Sequence, residues 1–114
     1  MATTQHESGM LEASEAENLA QMVSVAAGAI VSRVLAKNPA GTVTLFAFDA
    51  GQGLSEHSAP FDALVQVIEG DLDLVIGGHD VNVGSGEIVL MPANIPHALT
   101  APNPAKMLLT MLRG

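Results

Sequence analysis

From Ala29 onward, short runs rich in Val, Ile, Leu, Thr and Phe alternate with clusters of Gly, Pro, Asn and Asp, at a spacing of roughly ten residues. That rhythm constrains the fold more than any other feature. Ile30 to Lys37 and Thr42 to Asp49 flank Asn38-Pro39-Ala40-Gly41, where Pro and Gly suit a turn, and the pair is predicted to form a hairpin. Ala63 to Glu69 and Leu72 to Ile76 are predicted strands joined at Gly70-Asp71, and Gly77-Gly78-His79-Asp80 turns the chain into Val81 to Val83. Glu87 to Met91, His97 to Thr100 and Lys106 to Leu112 complete the set. Many short strands separated by turn signals predict an all-β antiparallel barrel or sandwich.

Before that rhythm begins, residues 1 to about 13 are polar and lack a hydrophobic period, so they read as a mobile leader. Ser14 and Glu17 have the spacing of a capping box, which predicts a short helix over Glu15 to Met22. The expected organisation is a leader and short helix over residues 1–28 and one barrel domain over 29–114. His6 in the leader and His79 in a turn are expected to be exposed and without a role.

A chain of 114 residues that is 48% apolar has enough material for one domain with a real core. Only Phe46, Phe48 and Phe61 are aromatic, so aliphatic side chains and methionine must fill that core, and stacking platforms for single-stranded nucleic acid or sugars are absent. Four Lys and Arg against twelve Asp and Glu leave a net charge of −8, which repels phosphate backbones and anionic membranes. With no cysteine, disulfides, zinc–thiolate sites and thiol nucleophiles are excluded. The apolar stretch from Leu19 to Ala36 follows Glu7, Glu12, Glu15 and Glu17 with no Lys or Arg before it, and Gln21, Ser24, Ser32 and Arg33 interrupt it. It therefore suits neither a secretory signal nor a membrane span, and a cytoplasmic location is the default expectation.

Two segments carry a family resemblance. The first runs from Gly51 through His57 to Gly70, and the second from Gly86 through Pro92 and Asn94 to His97. Together they resemble the paired signatures of the cupin superfamily, of the small conserved-barrel type, over roughly residues 29 to 112. The resemblance implies a cupin-type jelly-roll β-barrel, with the short N-terminal helix outside it. In the family, three histidines and a glutamate usually hold one divalent metal inside the barrel. Here only His57 and His97 can be carried over, because Ala59 stands at the second histidine position and Ala63 at the glutamate position. Asn94 replaces the second-motif glycine, a tolerable exchange because asparagine accepts a left-handed turn.

The ligand losses shape the functional expectation. Two imidazoles bind Fe, Mn, Ni or Zn weakly, whereas catalytic sites normally present at least three protein ligands. Asp62, Gln66 and Glu56 are the neighbouring donors, but strand alternation points each away from the pocket unless a bulge intervenes. The leading expectation is a small molecule held in the barrel, anchored by His57 and His97 and walled by Ala59, Ala63, Val65 and Val67, with Phe61 and Met91 placed to touch it. A metal-dependent enzyme of dioxygenase, isomerase or lyase type is the alternative, with His57 and His97 as its metal ligands. A structural dimer unit is the third reading, since small cupins commonly form homodimers and the apolar run from Val23 to Val31 offers an intersubunit strand.

Overall fold

The computed structural model describes residues 3–6 and 9–113. Its strands are β1 (Thr3–His6), β2 (Ala29–Asn38), β3 (Gly41–Phe48), β4 (Gly53–His57), β5 (Asp62–Glu69), β6 (Asp71–Ile76), β7 (His79–Gly84), β8 (Ile88–Met91), β9 (His97–Thr100) and β10 (Ala105–Leu112). They form a six-stranded sheet in the order β1-β2-β3-β10-β5-β8 and a four-stranded sheet in the order β4-β9-β6-β7. Apart from the parallel β1–β2 pair, every described pairing is antiparallel. The result is the expected all-β jelly-roll barrel. Non-consecutive strands lie side by side in both sheets, as when β10 inserts between β3 and β5.

Period-two alternation explains which side chains enter the barrel. On β5, Ala63, Val65 and Val67 are buried while Gln66 is exposed. With Phe48, Leu72, Leu74, Leu99 and Met107 they form the core between the sheets. Phe46 and Phe48, two residues apart on β3, stack at 5.8 Å on the barrel side. Gly70 makes the β5–β6 reversal at φ +76°, where an added Cβ would also lie 2.5 Å from the Pro104 carbonyl oxygen.

A second apolar cluster covers the outer face of the large sheet. Met22 and Val23 pack there on Val31, Leu35, Leu45 and Ala47. The Val23–Val31 run is thus used within the chain rather than left free as an intersubunit strand: Val23 is fully buried, and Ala29 to Val31 belong to β2. Lys106 anchors this covering segment by donating from Nζ to the Ala20 carbonyl at 2.6 Å.

The N-terminal helix is shorter than the capping-box spacing predicts. It is a single 3-10 turn, Leu19–Gln21, with no side-chain cap. Ser14 adopts φ +66°, outside the extended conformation of a helix cap, so the predicted start over Glu15 does not form. The leader also departs from expectation, because Thr3–His6 pair with Ala29–Ser32. Further along, Leu11 donates its amide to the Leu35 carbonyl and Arg33 Nε to the Gly9 carbonyl. The side chain of His6 lies outside the described residues; His79 is exposed at the start of β7, as expected. Among the described residues, no helix is long and apolar enough to cross a membrane.

Candidate functional site

His57 ends β4 and His97 begins β9, and the two are direct cross-strand partners. Such partners share a face of the sheet, so both rings reach the same end of the barrel. Strict alternation would place Leu54 and His57, three residues apart, on opposite faces. The β4–β9 ladder shifts register between them, and this irregularity lets both line one cavity.

That cavity has a volume of about 140 Å³. Ala59 and Phe61, from the loop after β4, form part of its wall together with Ala63 on β5 and Met91 on β8. Leu99 on β9 and Met107, Leu109 and Met111 on β10 supply the rest. The arginine at the chain end backs the Phe61 wall, with the Arg113 guanidinium 5.1 Å from the ring centroid. The two imidazoles are the polar side chains in an otherwise aliphatic, thioether and aromatic lining.

The loop from Pro92 to Pro96 is held against the β4–β5 connection. Asn94, at φ +64°, takes the left-handed conformation anticipated for it and donates its amide to the Ala59 carbonyl at 2.7 Å. Asp62 Oδ1 accepts the Ala93 amide at 2.9 Å. These contacts set the approach of Pro96 and His97.

The rings meet edge to face, with Nε2 of His97 3.1 Å from Nε2 of His57. His57 Nδ1 lies 2.7 Å from the Ser55 carbonyl oxygen, and His97 Nδ1 lies 3.2 Å from that of Ile95. A carbonyl oxygen only accepts, so each contact requires a hydrogen on Nδ1. In neutral rings both Nε2 atoms then carry lone pairs, 3.1 Å apart. Burial and, secondarily, the neighbouring His57 push the His97 pKa below its ordinary 6.5, against a weaker upward pull from the Ile95 carbonyl.

The residues do not fit a resident divalent metal. Methyl groups stand at Ala59 and Ala63, and both face the cavity. Of the substitute donors considered, Glu56 and Gln66 are exposed and Asp62 is engaged with Ala93. Among the described residues, no three His, Asp or Glu side chains gather as a metal site would need.

His57, His97, Phe61 and Met91, separate in the sequence, all line this cavity. Val65 and Val67, expected in its wall, are instead packed in the core beyond it. Motif spacing does not mark the β10 contribution; the alternation of Met107, Leu109 and Met111 is the sequence signal for it.

A family model described as a cupin domain matches residues 44–111. A conserved protein of unknown function from Streptococcus pyogenes is 32% identical, with 93% of each chain covered and a TM-score of 0.87. A cupin 2 conserved barrel domain protein from Leptotrichia buccalis is 39% identical over 84% of this chain and 47% of its own, with a TM-score of 0.81. A cupin superfamily protein from Desulfitobacterium hafniense shares the fold at 22% identity, covering 93% of this chain and 97% of its own with a TM-score of 0.86. The search of curated proteins found no match.

Proposed function

The chain belongs to the cupin family, and on that premise we propose that it binds a small, largely apolar molecule in the barrel, with His57 and His97 as the polar anchors. The observation that carries this reading is the pair of converging imidazoles at an apolar cavity of about 140 Å³. Pockets of this kind obtain affinity from apolar walls and orientation from a few polar groups. Ala59 and Ala63 support the same reading: where a metal-binding relative of the resemblance would place ligands, their methyl groups leave apolar space. Phe61 and Met91 contribute wall contacts.

The test uses toluene as a size-matched apolar probe, followed through the methyl resonances of Met91, Met107 and Met111. Saturable shifts in the native chain that vanish in Ala63→Leu, which fills the cavity, are the expected result. No shifts up to the solubility limit of toluene would overturn the reading. One Fe, Mn, Ni or Zn per purified chain, lost in His57→Ala, would favour a metal-dependent enzyme instead.

A homodimer belongs to the same proposal. It is supported by the edge strand β8, whose Ile88 and Leu90 are 57% and 49% exposed and whose outer edge has no partner among the described strands. An unpaired antiparallel edge beside apolar side chains is suited to pairing with its own copy about a two-fold axis.

A further inference from the structure

Between the β2–β3 hairpin and the end of β10 lies a second cavity, of about 230 Å³. Lys37, Thr42 and Met111 line it, and Met111 is also a wall of the cavity beside the histidines. Thr42 is the direct cross-strand partner of Lys37 on one side and of Met111 on the other, so the three side chains share one face of the sheet. Lys37 reaches that face through a bulge. Alternation from Val31 and Leu35 would carry it to the outer side, but the β2–β3 register shifts by one residue between Val34 and Ala36.

Two polar groups in this cavity are left uncommitted by the packing. Thr42 is 9% exposed, and its hydroxyl oxygen is buried with no hydrogen-bond partner among the described residues. Such a group destabilises a fold unless something pairs with it. Arg33 is bonded to the Gly9 and Met22 carbonyls, Lys106 to Glu69 and the Ala20 carbonyl, and Arg113 lies against the Phe61 ring. Lys37 has no comparable partner among the described residues, and no Asp or Glu lines the cavity, although the chain carries a net charge of −8.

We infer that this cavity is a second ligand site, for a monocarboxylate with a short aliphatic tail. The carboxylate pairs with Lys37 Nζ and accepts the Thr42 hydroxyl, while the tail lies on Val43, Met111 and Leu112. The Thr42 oxygen is closed to solvent in the free chain, so a step between staggered rotamers about Cα–Cβ presents it to the ligand. A single lysine matches a single negative charge, which favours a carboxylate over a phosphate dianion. This site stands or falls independently of the histidine pocket.

The experiment titrates hexanoate into the full chain by calorimetry, with 1-hexanol as the uncharged control of equal tail length. Hexanoate is expected to bind saturably and more tightly than 1-hexanol. Lys37→Gln and Thr42→Val should each weaken it about tenfold, and Thr42→Ser, which keeps the hydroxyl, should retain it. Thr42→Val should at the same time raise the urea midpoint of the ligand-free chain, because it removes the unpaired oxygen with little change of shape. Ala63→Leu, which fills the histidine cavity, should leave hexanoate affinity unchanged. Loss of binding in that variant would place the carboxylate in the first cavity and overturn the second site. No saturable binding of hexanoate, equal binding of 1-hexanol, or full affinity in Thr42→Val would each overturn the inference as well.

Discussion

His57 and His97, 40 residues apart in the chain, are opposed across the β4–β9 ladder with ring centroids 4.4 Å apart and planes inclined at 75°. Each ring is oriented by a carbonyl two residues before it, so backbone geometry sets where Nε2 points. In the neutral pair the Nδ1 contacts leave both Nε2 atoms as acceptors before any ligand arrives. Such preorganisation reduces the ordering cost of binding.

The lowered pKa of His97 has a signed consequence for stability. Its folded value lies below the ordinary 6.5, so the folded state favours the neutral ring. This contribution is present above about pH 6.5 and is lost as pH falls through the folded pKa, because the unfolded chain takes up the proton first. Urea melts between about pH 7.5 and pH 5 should show stability falling with acidification, with a smaller decline in His97→Gln. Ring-proton titration should place the His97 midpoint below 6.5.

Replacing Asp62 with Ala should release the loop from Pro92 to Pro96, which joins Met91 on β8 to His97 on β9. The Ala93 amide loses its acceptor, and the expected cost is about 1 kcal/mol because the contact is exposed. Urea denaturation reads the stability change. Faster exchange of the Ala93 amide and weaker toluene binding would locate the effect at the loop.

Ala59→His together with Ala63→Glu should create the missing ligands, since both methyl groups already face the cavity. Without metal the variant should be less stable, because Ala63 is 4% exposed and a glutamate there buries a charge or a proton-bearing acid. Zinc ion should restore stability, by about 4 kcal/mol at a free concentration a thousandfold above Kd. Calorimetry showing no zinc binding would mean that these positions do not converge with the histidines.

Leu45→Ala should separate the two apolar clusters. Leu45 is fully buried beneath the segment that carries Met22 and Val23, on the outer side of the sheet. A loss of about 2–5 kcal/mol is expected from burial and cavity effects. Toluene affinity at a temperature where the variant remains folded should not change.

Leu90→Lys tests the proposed pairing at β8. A charge on this half-exposed edge position should shift the chain towards monomer in light scattering, with little change in the monomer's own fold. An unchanged molar mass from a dimeric parent would place the interface elsewhere.

Local signals carried most of the strand set. Turn chemistry at Asn38 to Gly41, at Gly70 and at Gly77-Gly78 marks reversals that the chain makes, and alternation on β5 separates buried Ala63, Val65 and Val67 from exposed Gln66. Motif spacing also singled out His57 and His97, which the structure brings into contact. The strand Gly53–His57 was not separately marked, because its residues are short of β-branched side chains and half exposed. The helix over Glu15 to Met22 was overstated for a related reason: a capping spacing is a weak local preference, and packing of Met22 and Val23 on the sheet prevailed.

By itself, the sequence determined the features that depend on neighbours along the chain: alternating faces, turn positions, a core without Trp or Tyr, and alanines where the resemblance would place metal ligands. The tertiary structure decided the features that depend on register. A shift in the β4–β9 ladder turns Leu54 and His57 into one cavity, the insertion of β10 brings Met107 and Met111 to its wall, and two carbonyls set the direction of both imidazoles. These relationships join residues far apart in sequence, and a shift of one residue in pairing would reverse the face of every side chain involved.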